Sequence, residues 1–422
     1  MVVSSQPDEP NVPFYARPTV KIEKIPVGQG VPLGIEQVTH PTIGIGGAYG
    51  TWGESYDNDA LPHLIEERIG KSLKDDEKMS LSDLGFDYRQ HVPNLSPEEN
   101  LELEIQVGAR FLREAAFANG WDPSEVEAIL IGTSGPPVDD YLERIARKAG
   151  IPEHALKVSI HKACDGSVAG LNLALNPQLP IHAQLHRNLA KELYGKKVLV
   201  GGIEGLSRFT QTSRDVNALQ LFGNGAGVIG LIPGQTMKFL VGASHEVFDD
   251  EGVLQVRMYY PHSGGKAEGK SMIEVSQPGI NHIRVAGLMH EPEGEAPIVM
   301  AGMMGMVKLF VRSGVQVVQQ VYHAYQKRMA ELGMPGREIV VAIVHHANLK
   351  INQFKVKNLQ REGIQIPFPW LLKDFGNVSA ASNMMAFLRK LLQLNPGDHI
   401  LFDGFGAGTY YDVLAVELGG QT

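Results

Sequence analysis

Strands and helices that alternate along the whole chain predict an α/β fold, built as two similar lobes around a mostly parallel sheet covered on both faces. Two observations carry this reading. Helix, turn and strand succeed one another from Ser96 onward, and the order of elements in residues 41–233 returns in residues 234–422 without a clear sequence repeat. A chain of 422 residues can also bury a large core and divide into two or three units of ordinary size.

Residues 1–40, rich in proline, polar residues and isolated valines, read as an arm lying on the surface or on a second subunit. The folded part begins with the strand TIGIGGAYG, followed by a charged, loop-rich stretch ending near GFDYRQHV. Ser96, Pro97 and Glu99 form a capping box with proline at the first helical position, and Leu101, Ile105, Ala109, Leu112 and Ala116 make the apolar face of the helix it starts. A turn at Asp122-Pro123 leads to the strand Ala128–Ile131, then a helix over Val138–Lys148, a strand over Ala155–Ile160 and a helix of small apolar residues after Cys164. A helix over Ile181–Leu193 and the strand KKVLVGG close the first lobe, with LFGNGAGVIGLI after it. In the second, a strand from Met237 and a glycine-rich segment precede a long helix from Met303 to about Leu332. The strand IVVAIVHHAN, a helix through Gln360, the loop FGNVSAAS, a helix to Leu394 and two closing strands complete the chain.

The formal net charge of −9 and 43 % hydrophobic content describe a globular protein, and an acidic balance argues against general nucleic-acid binding. A single cysteine excludes an intramolecular disulfide and any multi-cysteine metal site; no histidine–carboxylate cluster has metal spacing, so no metal is expected. The N-terminal residues lack a signal-peptide core and no run of about 18 apolar residues occurs, so neither export nor a membrane span is expected and the cytoplasm is the default.

That one cysteine, Cys164 in KACDGSVAGL, stands where a strand meets a helix. Unpaired N–H groups at a helix start favour thiolate over thiol and make a better nucleophile. A lone cysteine is more often a small core residue, so its company matters. His345 and His346, in VHHANLKI, stand at the end of a strand where open α/β sheets present ligand-contacting residues; one of two adjacent histidines is expected to be structural. Asn377, in FGNVSAAS, precedes a helix, where an asparagine is usually a cap or turn residue. Together the three supply one nucleophile and two neutral donors at strand–helix junctions. GAGVIG (Gly225–Gly230) fits a dinucleotide pattern by letter, but the residues after it read as strand rather than helix, which argues against a nucleotide site. Gly406, Ala407 and Gly408 make a tight turn whose backbone N–H could donate to an oxyanion.

With KACDGSVAGL, FGNGAG, VMAGMMGMVKLF, HHANLKI, FGNVSAAS and a C-terminal glycine turn in this order, the chain resembles the thiolase-fold condensing enzymes, most closely β-ketoacyl-acyl-carrier-protein synthase III, over roughly Thr42 to Leu418. The resemblance implies a thiolase-like fold, two α/β lobes packed as a layered α-β-α-β-α sandwich, and a homodimer. It makes Cys164 the nucleophile and His345, chosen over His346 by motif register, and Asn377 its partners, with the backbone N–H groups of Cys164 and Ala407 as oxyanion donors. The implied reaction is a decarboxylative Claisen condensation. Cys164 takes the acyl group of a thioester, and a malonyl thioester loses CO₂ while His345 and Asn377 stabilise its enolate. Acyl-CoA and malonyl-CoA or malonyl-acyl carrier protein are the implied partners, with no tightly bound cofactor.

Asn348 and Lys350 are candidates for the mouth of a pantetheine channel, Arg214 for a phosphate contact, and Lys350, Lys355, Lys357 and Arg361 for a basic patch facing CoA or a carrier protein. Asp165 could raise the cysteine pKa or reshape the acyl pocket. The same scaffold serves polyketide synthesis and non-decarboxylative coupling as in hydroxymethylglutaryl-CoA synthesis, for which Glu204 or Asp165 would be the base. A non-catalytic acyl-binding subunit is the alternative of another class.

Overall fold

The computed structural model describes residues 12–208, 216–246, 257–258, 272–275, 281–286, 298–299, 303–406 and 410–419. The first half supplies strands β1 (Lys21–Ile25), β2 (Val31–His40), β3 (Ile45–Trp52), β4 (Glu54–Asp57), β5 (Tyr88–His91), β6 (Ala128–Gly132), β7 (Leu156–His161), β8 (Val198–Glu204) and β9 (Gly225–Leu231). The second half supplies β10 (Met237–Glu246), β11 (Arg257–Met258), β12 (Met272–Val275), β13 (His282–Ala286), β14 (Ile298–Val299), β15 (Val341–Val344), β16 (His399–Gly406) and β17 (Tyr410–Leu418). Longer helices are α1 (Leu61–Ile69), α2 (Pro97–Ala118), α3 (Tyr141–Ala149), α4 (Gly166–Leu175), α5 (Met303–Glu331), α6 (Leu349–Arg361) and α7 (Ser382–Leu391).

Nine strands form one sheet in the order β1-β2-β3-β9-β8-β6-β7-β13-β12, and four form a second in the order β10-β17-β16-β15. Parallel pairing runs through β8-β6-β7-β13 and β15-β16; the other pairs are antiparallel. β6, β7, β8 and β9 are buried along their whole length, because both faces of the sheet are covered. On its outer face lie α2 and α3, and α5 with α6 covers the outer face of the second sheet. Between the sheets lies α4, packed on β6 and β8 on one side and β16 and β17 on the other, with α7 beside it against β3, β9 and β15. Every residue of α4 and α7 is buried, so the predicted α-β-α-β-α layering is present and its middle layer is the apolar centre.

Small residues make the close packing possible. A Cβ on Gly132 in β6 would lie 2.5 Å from the Gly166 carbonyl carbon at the start of α4, and one on Gly202 in β8 would lie 2.5 Å from the Ala380 carbonyl. Backbone therefore touches backbone where α4 and the turn before α7 meet the sheet. At α2 the expected capping box is complete: the Ser96 hydroxyl accepts from Glu99 N at 3.2 Å and the Glu99 carboxylate from Ser96 N at 2.9 Å.

Three expectations change. The arm over residues 1–40 is, from Lys21 on, sheet: β2 pairs with both β1 and β3, and Phe14 is buried with its ring 4.7 Å from that of Phe375. The boundary at 233/234 is crossed, since β12 and β13 extend the first sheet beyond β7 and His282 Nε2 meets Ser159 Oγ at 2.8 Å. The helix over Ile181–Leu193 is two short turns, Ile181–Gln184 and Leu189–Glu192, separated by His186 at φ +51° and restarted by Asn188, whose side chain accepts from Lys191 N. GAGVIG itself lies in β9, and among the described residues no helix directly follows it as a dinucleotide-binding turn would require. Among the described residues no helix is long and apolar enough to cross a membrane.

Gly132→Ala is expected to lower stability by about 1–3 kcal/mol, the usual cost of forcing a methyl into a packed interior. Urea denaturation reads this as a lower midpoint, and an unchanged midpoint would mean that β6 and α4 can part without cost.

Candidate active site

β7 ends at His161, and a 3-10 turn over Ala163–Asp165 joins it to α4. Cys164 sits in that turn, partly accessible, with the helix beginning two residues later. Its predecessor Ala163 has φ +47°, a left-handed conformation that a residue with a Cβ adopts at a cost of about 1–3 kcal/mol. The sharp turn is held from the β16 side, where a Cβ on Gly406 would meet the Lys162 carbonyl oxygen at 2.6 Å and Cys164 N at 3.1 Å.

A second strained turn faces the first. Ser379, at φ +46°, lies in the 3-10 turn Ser379–Ala381 that leads into α7, and its hydroxyl is hydrogen-bonded to Cys164 Sγ at 3.2 Å. From there neighbouring groups lead to the other two candidates. Ser379 N donates to Asn377 Oδ1 at 2.9 Å, Asn377 Nδ2 donates to the Ala347 carbonyl at 3.2 Å, and Ala347 N donates to the His345 carbonyl at 3.1 Å. Cys164, Asn377 and His345 thus belong to one contiguous group drawn from both lobes. The second Nδ2 hydrogen of Asn377 has no partner among the described residues.

His345 follows β15 and is buried. Its Nδ1 is 2.6 Å from Ser382 Oγ, and Nε2 carries no protein hydrogen bond among the described residues. In the tautomer with its hydrogen on Nε2, Nδ1 accepts from the Ser382 hydroxyl and the neutral ring presents a donor. Burial, with the neighbouring His346 and Lys355 adding to it, pushes its pKa down to about 3. Lys355 in turn is buried in an ion pair with Asp403, 2.6 Å away, and lies 4.5 Å from the centre of the Phe405 ring, which packs edge-on against His345.

His346 is the structural one of the pair. Its Nδ1 donates to the Val344 carbonyl at 2.8 Å, its Nε2 accepts from Leu371 N at 2.9 Å, and Trp370 covers the ring at 4.4 Å. Burial lowers its pKa to about 4.

Three buried carboxyl groups lie behind the sulfur. Asp165 is fully buried, and burial together with the adjacent Asp412 drives its pKa well above the ordinary range. Burial also works against charge on Asp412, but Lys162 Nζ at 3.3 Å, Asn172 Nδ2 at 2.7 Å and the Asp165 carboxyl outweigh it and hold its pKa below the usual value. Asp165 is therefore the neutral member, which removes the expected charge beside the cysteine. Glu204, at the end of β8, is buried too; its carboxylate accepts from Ser134 Oγ at 2.7 Å, Ser134 N at 3.0 Å and Ala380 N at 3.1 Å. Burial raises its pKa to about 7 against the pull of those donors.

Three of the binding candidates have other work. Asn348 caps α6, its side chain accepting from Ile351 N at 2.9 Å, and Lys350 pairs with Asp83 at 2.7 Å on the surface. With Lys355 buried, only Lys357 and Arg361 of the expected basic patch remain exposed and uncommitted among the described residues. Arg214 and Ala407 lie outside the described residues.

A family model described as 3-oxoacyl-[acyl-carrier-protein] synthase III, C terminal, matches residues 329–418, the span that holds His345, Asn377 and Ser379. β-Ketoacyl-[acyl-carrier-protein] synthase III 1 of Halalkalibacterium halodurans is 25 % identical over 342 residues, covering 79 % of this chain and 88 % of its own. The synthase III of Prochlorococcus marinus is 26 % identical over 357 residues, covering 82 % and 89 %. The solved 3-oxoacyl synthase III of Pseudomonas aeruginosa superposes with a TM-score of 0.57 at 19 % identity, covering 91 % of this chain and 98 % of its own. The chain has the thiolase-like fold and resembles the condensing enzymes of the 3-oxoacyl synthase III type. The fold is also that of 1,3,6,8-tetrahydroxynaphthalene synthase from Streptomyces coelicolor, a type III polyketide synthase, with a TM-score of 0.57 at 14 % identity over 91 % of this chain and 99 % of its own.

His345 and His346 bind protons less readily folded than unfolded. Each contributes stability that is complete above about pH 6.5 and declines as the pH drops toward the folded value, by up to about 1.4 kcal/mol per pH unit. Glu204 opposes this with one proton between about pH 7 and 4.5. NMR titration of the imidazoles is expected to find His345 and His346 neutral at pH 5.5. A ring of either residue titrating near 6.5 would contradict its buried, neutral state.

Proposed function

We propose that this acyltransferase catalyses a decarboxylative Claisen condensation of the 3-oxoacyl synthase III type, joining an acyl thioester to a malonyl thioester through an acyl group carried on Cys164. The observation that carries the reading is the chain of contacts Cys164, Ser379, Asn377, Ala347 and His345, drawn from both halves of the sequence and joined to the sulfur through Ser379.

Acylation begins with attack of the Cys164 sulfur on the thioester carbonyl. The backbone N–H of Cys164 holds the developing oxyanion; a donor of this kind is worth on the order of 10²–10³ in rate in other enzymes. CoA or a carrier-protein thiol leaves. The malonyl thioester then enters with its carbonyl oxygen between His345 Nε2 and Asn377 Nδ2. Loss of CO₂ leaves an enolate whose negative oxygen those two hydrogen bonds stabilise, and its carbon attacks the acyl-cysteine. An imidazolium would give up its proton to the enolate, so a histidine held neutral suits a donor that must persist through the step.

Non-decarboxylative coupling needs a carboxylate able to reach the donor's α-hydrogen. Neither candidate fits that need well. Asp165 is buried and neutral beside Asp412, and Glu204 is buried with both oxygens engaged by Ser134 and one also by Ala380 N.

Intact-protein mass spectrometry after incubation with short and medium acyl-CoAs is expected to find one acyl adduct, absent in Cys164→Ala. No adduct with any donor would favour an acyl-binding role instead. CO₂ release from malonyl-CoA is expected to fall by at least about 10²-fold in His345→Ala and in Asn377→Ala, the scale of a lost oxyanion donor. Unchanged release in both would remove the decarboxylative assignment.

A further inference from the structure

Behind the sulfur, hydrogen bonds continue past Ser379. Its Oγ, 3.2 Å from Cys164 Sγ, is 2.6 Å from Ser134 Oγ, and Ser134 Oγ is 2.7 Å from Glu204 Oε1. Two hydroxyls therefore connect the thiol to a carboxyl group that has no exposure to solvent. Each hydroxyl has one hydrogen to give, so the row can be ordered in two ways. In one, Cys164 S–H points to Ser379, Ser379 to Ser134 and Ser134 to the Glu204 carboxylate. In the other every bond is reversed: a protonated Glu204 donates to Ser134, Ser134 to Ser379, and Ser379 to the thiolate.

The left-handed backbone at Ser379 belongs to this arrangement, since the same turn presents Ala380 N to Glu204 and the hydroxyl to the sulfur. Sequence alone offers no reason to bury a carboxylate at the end of β8 against two serines; a charge there is costly unless it binds a proton or is fully bonded.

We infer that Glu204 and Cys164 share one proton through Ser134 and Ser379, with the carboxylate storing it while the sulfur is acylated. When the sulfur attacks a carbonyl the S–H bond breaks, the two hydroxyl protons each move one place, and an O–H bond forms on Glu204. The departing thiolate takes its proton from solvent. When condensation expels the Cys164 thiolate, the stored proton returns along the same row and restores the thiol. Glu204 touches no reacting atom, so it is a positioning residue for the proton.

Other charges face this row. Arg208 lies on the Glu204 side, bonded to Glu104 at 3.0 Å, with the Tyr141 hydroxyl 3.1 Å from the same carboxylate. Lys162, Asp165 and Asp412 lie on the cysteine side, and His345 there is neutral. Arg208 is paired with Glu104 and Lys162 with Asp412, so each cation is balanced by a carboxylate outside the row. Burial that lifts Glu204 to about 7 brings it toward the ordinary thiol value of about 8.5, so that a proton can reside on either end.

Cys164 is the only cysteine, so alkylation of the whole chain by iodoacetamide reads it directly. The measurement uses no acyl donor, and its outcome is independent of whether the condensation proposed above is the reaction. Two groups sharing a proton titrate as a pair, and the rate between pH 5 and 9.5 is expected to rise in two steps about one pH unit or more apart. Glu204→Gln, Ser379→Ala and Ser134→Ala are each expected to leave a single step, whereas Ser134→Thr, which keeps a hydroxyl, retains two. A single step in the unaltered protein, coincident with that of Glu204→Gln, overturns the proposal. So does a two-step profile in either serine-to-alanine variant, because the carboxylate would then act through space. Should Glu204→Gln fail to fold, the serine variants decide alone.

Discussion

A serine hydroxyl 3.2 Å from a sulfur is the contact on which the arrangement of the site depends. It exists because two turns with left-handed residues, at Ala163 and Ser379, are pressed together from opposite halves of the chain. Each turn is backed by a place where only glycine fits: Gly166 against Gly132 behind the cysteine turn, and Gly202 against Ala380 behind the serine turn. Conformational strain of this kind persists only where surrounding packing determines it, and the buried middle layer of α4 and α7 provides that packing. The core of the molecule and the geometry at the sulfur are the same structural fact seen at two distances.

Electrostatics around the sulfur are arranged by pairing rather than by exposure. Lys355 with Asp403 and Lys162 with Asp412 are buried, Arg208 with Glu104 is partly so, and each pair places opposite charges in contact. Taking one partner from a buried pair typically costs about 3–5 kcal/mol, because the other is left unpaired in a poor solvent. The pairs thereby hold fixed charges without leaving a net charge beside the nucleophile. Within that frame Asp165 and His345 are neutral first because both are buried; the carboxylate beside Asp165 adds to this, as a neighbouring imidazole and a cation do for His345.

Much of this is legible in the residues and some is not. Motif register selects His345 over His346, and in the structure His346 has both ring nitrogens bonded to backbone. The capping box at Ser96 is a local signal, carried by residues three apart, and it appears as expected. The features that escape a reading of the residues are non-local. Lys350 and Lys355 look alike on a helix, yet one reaches Asp83, 267 residues away, and the other Asp403 in the neighbouring strand. Asn348, expected as a ligand residue, is instead the cap that an asparagine before a helix more often makes; the local rule is the better guide. β1, β2, β12 and β13 join the first sheet through pairings that no short stretch encodes. Ser134 and Ser379 carry no pattern of their own; SAAS serves only as a family marker, and its first serine is the one at the sulfur.

A buried carboxylate near a nucleophilic sulfur has two uses in carbon–carbon bond formation: it can remove a proton from substrate, or it can take the proton from the sulfur. The first requires an oxygen facing the pocket. Glu204 has one oxygen bonded to Ser134 Oγ, Ser134 N and Ala380 N and the other to Ser134 N, and the hydroxyls of Ser134 and Ser379 stand between it and the sulfur. Decarboxylation needs no base, because the departing CO₂ leaves its electron pair on carbon. In the decarboxylative reaction proposed above the carboxylate is free for the second use, and the two hydroxyls between Glu204 and Cys164 are what that use requires.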